Sequence, residues 1–209
     1  MCGRIAQSKT ASVYARAMGR VEDDIVLPEW QPNWNVPARS SPLLMHQLAG
    51  KRSFASVHWG YHPMWARLKK MPMLINASLQ TVSTGPALRP LFQSGRAIIP
   101  ADGWFEWAGE KENKQPWYVM LKNDTPMFLA AITDFWPVNC AIEDTGFLIV
   151  TTAPTKNKST GADQRPIVLT AENAWLWMNN DLSMAQAEEI ARETNLRSEY
   201  FAWCKVSER

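Results

Sequence analysis

The chain has few of the groups that would point to the commonest site chemistries. Among its 209 residues are three cysteines, Cys2, Cys140 and Cys204, too few and too scattered for a disulfide framework or a cysteine zinc site. The three histidines, His46, His58 and His62, show no ligand spacing, and there is no HExxH, Cys-x-x-Cys or glycine-rich phosphate loop. Neither a metal nor an organic cofactor is therefore expected. No run approaches the roughly 20 apolar residues that span a bilayer, and the start of the chain lacks a secretory apolar region. The expectation is a soluble, cytoplasmic protein without a membrane partner. A net charge of only +2 is too small to announce a polyanion by itself.

What is present is unevenly placed. Eleven tryptophans are many for this length. Trp59, Tyr61 and Trp65 sit beside Arg67, Lys69 and Lys70, and further arginines stand at Arg4, Arg39, Arg89, Arg96 and Arg165. Rings interleaved with cations suit single-stranded nucleic acid, which needs planes for its bases and charges for its phosphates.

The patterning predicts one α+β domain over residues 1–209, dominated by a curved, mostly antiparallel sheet. A short helix is expected from about Thr10 to Met18, capped by Ser8 or Thr10. The stretch from Pro28 to Pro42 is too rich in Pro and Trp for a helix or a central strand. Strand-like runs recur at 43–48, 53–61, 96–101, 116–122, 126–133 and 146–152. The C-terminal part turns helical, with Thr170 capping one helix and Ser183 with Gln186 forming a capping box for 184–194.

Four places could carry chemistry. Cys2 follows Met1 directly, so removal of the initiator would leave a thiol and an α-amine on one residue. Such a 1,2-aminothiol condenses with an aldehyde: the amine forms an imine and the thiolate closes a thiazolidine ring. In Ala101-Asp102-Gly103-Trp104-Phe105-Glu106-Trp107, Asp-Gly should bend the chain and expose the residues after the bend. Glu106, between two tryptophans, is either a desolvated acid with a raised pKa or an outward glutamate between inward rings. Asn76 is placed at the end of a buried strand Met73-Leu74-Ile75, where its amide either serves local backbone or holds a ligand oxygen. Arg165, at the mouth of the apolar run 167–169, could hold a phosphate or pair with a carboxylate.

Taken in order, Met1-Cys2-Gly3-Arg4, Asn33-Trp34-Asn35-Val36-Pro37, Trp59-Gly60-Tyr61, Leu74-Ile75-Asn76-Ala77, Pro100 to Trp107, Phe147 to Thr151 and Arg165 to Leu169 resemble the SRAP family of abasic-site-processing proteins. The resemblance implies a distorted β-barrel with a groove for single-stranded DNA. It also implies that Cys2, freed of Met1, forms a thiazolidine crosslink with the ring-opened sugar aldehyde of an abasic site. Asn76 would sit beside the amine, and Glu106 would move protons. Arg4, Asn35, Trp65, Thr151 and Arg165 would bind backbone or stack near the lesion; the distribution of cations along the chain adds Arg67 and Arg89 as DNA-binding candidates. Weak abasic-site lyase or self-processing peptidase activity and a monomeric state are further expectations.

The chain departs from the family pattern at Ala162, where a catalytic histidine is usual, at Gln164, where an arginine is usual, and at Ser78-Leu79-Gln80, where the family has Arg-x-Glu. Two other readings stay open. One is a degenerate homologue that binds single-stranded DNA without chemistry; the other is a cysteine peptidase acting on other proteins, which would need a base for its thiol.

Overall fold

The computed structural model describes residues 2–19, 27–48, 52–109, 114–136, 145–153 and 164–207. In chain order the elements are β1 (Arg4–Gln7), α1 (Ala11–Ala17), β2 (Asn33–Pro37), β3 (Leu43–His46), β4 (Ser53–Ser56), α2 (Met64–Leu68), β5 (Asn76–Ser78), α3 (Leu79–Thr84), α4 (Arg89–Ser94), β6 (Arg96–Ala101), β7 (Gly103–Ala108), β8 (Gln115–Leu121), β9 (Met127–Thr133), β10 (Phe147–Thr151), β11 (Val168–Leu169), α5 (Ala171–Met178), α6 (Met184–Glu193) and β12 (Phe201–Lys205). This is the expected α+β, mostly antiparallel architecture. The strands fall into two sheets, neither closed on itself among the described residues: β12-β8-β7-β1-β2, and β4-β3-β6-β9-β10-β5 with β11 beside β9. The pairing of β10 with β5 is parallel.

Packing explains why the central runs read as continuous apolar sequence. β6, β9 and β10 are buried along their whole length. Alternate side chains go to opposite faces, as the two-residue period of a strand requires. Ile98, Phe128, Ala130, Leu148 and Val150 join Tyr14, Phe92 and Trp177 in a core under the helices. Ala97, Ile99, Leu129, Ala131 and Ile149 join Cys2, Ile5, Trp59, Trp104 and Phe201 in a second core against the smaller sheet. The seven-stranded sheet is thus covered on both faces, and the residues around Cys2 belong to the layer between the sheets.

The expected side-chain caps form on α5 and α6 but not on α1. Thr170 accepts from the Asn173 amide at the start of α5, and Ser183 with Gln186 completes a capping box on α6. Thr10 precedes α1 without a side-chain cap bond. The Pro- and Trp-rich stretch supplies β2, an edge strand, where missing amide donors cost little.

Two expectations fail here. The chain does bend at Asp102, but the residues after the bend are mostly buried rather than exposed: Gly103 starts β7, and an ideal Cβ there would lie 2.5 Å from the Tyr118 ring. Glycine is needed for that close approach. Nor does Met73-Leu74-Ile75 form a buried strand. Leu74 is 36% exposed, and Asn76 opens β5 instead of closing a strand. No helix among the described residues is long and apolar enough to cross a membrane.

Candidate active site

Cys2 lies at the entry to β1, fully buried, with its thiol 4.0 Å from the Arg4 carbonyl. Burial and, after it, the charge of Glu106 push the thiol well above its ordinary pKa. The strand is held from both sides. Ile5 and Ala6 pair with Trp104 and Gly103 of β7, and the Gly3 carbonyl accepts from Ala38 at 3.0 Å. Continuing the β1–β7 register by two residues sets Glu106 across from Gly3, next to Cys2.

Glu106 is only 3% exposed. Trp104, two residues earlier on the same face of β7, donates its indole N–H to Glu106 Oε1 at 2.9 Å. Burial raises the carboxyl pKa above the usual range, and that bond offsets part of the rise. The outward-glutamate alternative is therefore overturned: Trp104 and Glu106 point inward together, and Trp107 is the residue that reaches solvent.

Asn76 approaches from the other sheet. Parallel pairing sets it beside Ile149 of β10, and its Nδ2 donates to the Cys2 carbonyl at 2.6 Å. Its Oδ1 is buried without a partner. The same holds for Thr151 Oγ1 at the end of β10 and for Nη1 of Arg165. Buried polar groups almost always find a partner, so three orphaned ones close together ask for a ligand. Their backbones neighbour one another: Asn76 pairs with Ile149, two residues before Thr151 on β10, Thr151 bridges to Pro166, and the Thr152 amide donates to the Arg165 carbonyl at 2.9 Å. The Arg165 guanidinium lies over Phe201 at 5.5 Å, and Phe201 packs edge-on against Trp104 at 5.2 Å. Desolvation lowers the Arg165 pKa.

The remaining predicted residues lie outside this buried cluster. Arg4 donates to Asn35 Oδ1 at 2.5 Å and stacks over Trp107 at 5.8 Å, on the exposed side of the smaller sheet. Trp65, Arg67 and Arg89 are exposed. Trp65 lines an apolar recess of about 170 Å³ with Tyr61, Met71, Leu74 and Leu88. Arg96, grouped in the sequence with the surface arginines, is instead wholly buried. Ala162 and Cys140 fall outside the described residues; Gln164 is half-buried, and Cys204 is exposed. His62 contacts the Met71 carbonyl, His46 contacts the Leu48 amide and Ser53, and no histidine among the described residues is bonded to Cys2.

Two signals go beyond the predicted residues, the first visible only in the structure and the second present in the sequence but masked by its net charge. Trp104 looks there like a mere flank, yet it is the donor that fixes Glu106. From Trp30 to Ala101 the chain holds no Asp or Glu, while Arg39, Arg67, Lys69, Lys70 and Arg89 lie exposed or half-exposed within that stretch. Net charge hides this asymmetry.

The family model described as "SOS response associated peptidase (SRAP)" matches residues 1–209. The chain is 39% identical over 209 residues to the abasic site processing protein YedK of Escherichia coli, covering 99% of this chain and 92% of that protein. It is 27% identical to the abasic site processing protein YoaM of Bacillus subtilis, over 86% of this chain and 79% of the relative. Among solved structures, a phage-related protein from Bordetella bronchiseptica superposes with a TM-score of 0.84 at 30% identity, covering 99% of this chain and 95% of that one.

Proposed function

Since the chain belongs to the SOS response associated peptidase (SRAP) family, we propose that it senses abasic sites in single-stranded DNA by covalent capture through Cys2. The observation that carries this reading is convergence: an amide with its own Oδ1 unpaired and a buried carboxyl, from different sheets, meet the second residue of the chain, with two further orphaned polar atoms on the neighbouring strands. A cysteine needs such company only if its own amine and thiol are to react.

The chemistry balances simply. While Met1 is attached, the Cys2 nitrogen is a peptide nitrogen, so hydrolysis of that bond comes first. The freed amine then adds to the sugar aldehyde, and the carbinolamine loses water to give an imine. Glu106, protonated more readily than an ordinary carboxyl group, gives its proton to the departing hydroxyl. The thiol adds to the imine carbon, its proton passing to nitrogen, and the thiazolidine closes with one water lost overall. Asn76 Nδ2 holds the Cys2 carbonyl, which leaves Oδ1 to accept from the amine or a sugar hydroxyl. Arg165 and Thr151 offer donors to a flanking phosphate or sugar oxygen. Arg4 and Asn35 line the approach, and Trp65, Arg67 and Arg89 add a ring and cations from the stretch of chain that holds no Asp or Glu. The sequence relatives named for abasic site processing support the same reading.

Ala162 gives this member a particular character. A missing acid–base group leaves capture intact and slows the hydrolytic return, since such groups contribute about 10²–10⁴-fold. The crosslink is therefore long-lived. A cysteine peptidase is disfavoured, because a buried thiol with a raised pKa and no bonded histidine is a poor nucleophile towards peptides.

The test mixes protein stripped of Met1 with an oligonucleotide carrying one abasic site. A band that survives denaturing electrophoresis is expected, with a mass equal to protein plus DNA minus water. Cys2→Ala and a form with a residue inserted before Cys2 should give none. Salt-sensitive binding without any adduct would favour the degenerate binder, and an adduct that persists in Cys2→Ala would remove the reading altogether.

A further inference from the structure

We propose that Asp102 is a positioning residue for Cys2: its carboxylate locks the far end of β1 onto the root of β7 and so sets where the aminothiol meets Glu106. This rests on the capture chemistry above and adds to it the device that keeps the terminal strand in register.

The strand needs one. β1 has four residues, and its pairing with β7 amounts to Ile5 with Trp104 and Ala6 with Gly103. On the other side its register against β2 is broken between Ile5 and Gln7. Chain ends fray unless tied down, and a slip of one residue turns every side chain to the opposite face.

Asp102 ties this one down. Its amide donates to the Ala6 carbonyl at 2.8 Å. Its Oδ2 accepts from the Ser8 amide, the Ser8 hydroxyl and the Tyr14 hydroxyl, each at 2.7 Å, and its Oδ1 accepts from Lys9 Nζ at 2.6 Å. One buried carboxylate thus gathers the exit of β1, the link and helix α1. Gln7 anchors the same strand through the Leu43 amide and carbonyl and the Pro100 carbonyl, so its side-chain bonds go to β3 and β6. At the strand rise of about 3.3 Å per residue, Glu106 stands roughly 13 Å beyond Asp102. Asp102 therefore acts through the backbone and not on the reacting atoms.

The experiment uses Met1-free protein with Cys140 and Cys204 changed to serine, well below its melting temperature. Two rates are measured: adduct formation with abasic single-stranded DNA, and labelling of Cys2 by the thiol reagent DTNB without DNA. In Asp102→Asn an amide N–H faces a donor. Adduct formation should fall on the order of 10²-fold, the penalty for about 1 Å of misplacement, while labelling accelerates because the thiol leaves its burial. Tyr14→Phe removes one donor and should show the same opposed pattern, several-fold in size. It decides the matter if Asp102→Asn does not fold. A purely structural role predicts that both rates stay at the parent values in folded variants, and that result overturns the proposal. If the parent forms no adduct, the capture reading fails while the labelling rates still test the register.

Discussion

Arg96 and Arg165 are both guanidiniums drawn out of water, and both have pKa values lowered by that desolvation, Arg96 to about 10. Their surroundings differ completely. Arg96, at the start of β6, gives Nε to the Trp177 carbonyl, Nη1 to Phe92 and Gln93, and Nη2 to Asn179 and Leu182, at 2.6–3.2 Å. Those carbonyls lie at and just beyond the ends of α4 and α5, so one cation caps two helices whose last carbonyls carry partial negative charge. Arg165 has Nη1 buried and unpaired beside two other orphaned atoms. The guanidinium under the helices is fully bonded, whereas among the described residues the layer around Cys2 holds three unpaired polar atoms against the single Trp30 Nε1 beside the helix-side core. A cluster of unpaired atoms, more than one alone, marks a place awaiting a ligand.

The sharpest way to break that contrast is Glu106→Gln. It removes the buried acid while keeping an acceptor for the Trp104 indole. Adduct formation should slow by about 10²–10⁴-fold. Stability should move the other way. An unfolded glutamate titrates near 4.3, and burial raises the folded value above that. Above both values the fold bears the cost of a buried charge. As the pH falls through the folded pKa, the fold takes up the proton more readily than the unfolded chain and gains stability. The variant should therefore melt above the parent at pH 7, with the gap shrinking towards about pH 4. Thermal melts across that range, run beside adduct gels, read both effects. A variant that melts lower at pH 7 would mean that Glu106 is scaffold after all.

Arg96→Met probes the opposite region. It orphans several buried carbonyls at once, each costing about 1–3 kcal/mol. A loss on the order of 3 kcal/mol or more is expected, about 6–12 °C in Tm for a chain of this size. Protein that remains folded should still form adduct at the parental rate. If it melts like the parent, satisfied hydrogen bonds are a poor guide to scaffold here.

The sequence could not distinguish these two arginines, since each simply borders an apolar run. Legible signals were those resting on local rules: the apolar strands β6, β9 and β10, the caps of α5 and α6, and the aminothiol itself. What escaped was set by partners far along the chain. β1 has too few residues for a period and exists only because β7 and β2 flank it. Alternation around Glu106 left its direction open until the pairing of β7 with β8 and β1 settled which face was core. Asn76 stands out by residue type, but its place at the start of a parallel strand depends on β10, about seventy residues later. The fold class was readable, and so were the site's residue types; the layer they share was not.

Arg165→Met carries the smallest effect and separates the two regions most finely. Removing a half-buried cation with an unpaired nitrogen should cost the fold nothing beyond its contact with Phe201, leaving Tm near the parental value or slightly above it. Binding should tell a different story. A lost charge-assisted bond to a phosphate weakens affinity for single-stranded DNA by about tenfold and lowers the slope of log K against log salt by about one. Measuring affinity by fluorescence anisotropy at several salt concentrations separates this from a general loss of folding, which would leave the slope intact and reduce only the active fraction. If instead the melting temperature drops as far as in Arg96→Met while the salt slope stays put, the orphaned nitrogen is satisfied within the fold. The inference from unpaired atoms to a ligand would then fail for Thr151 and Asn76 as well, because all three rest on the same reading of buried, partnerless polar groups.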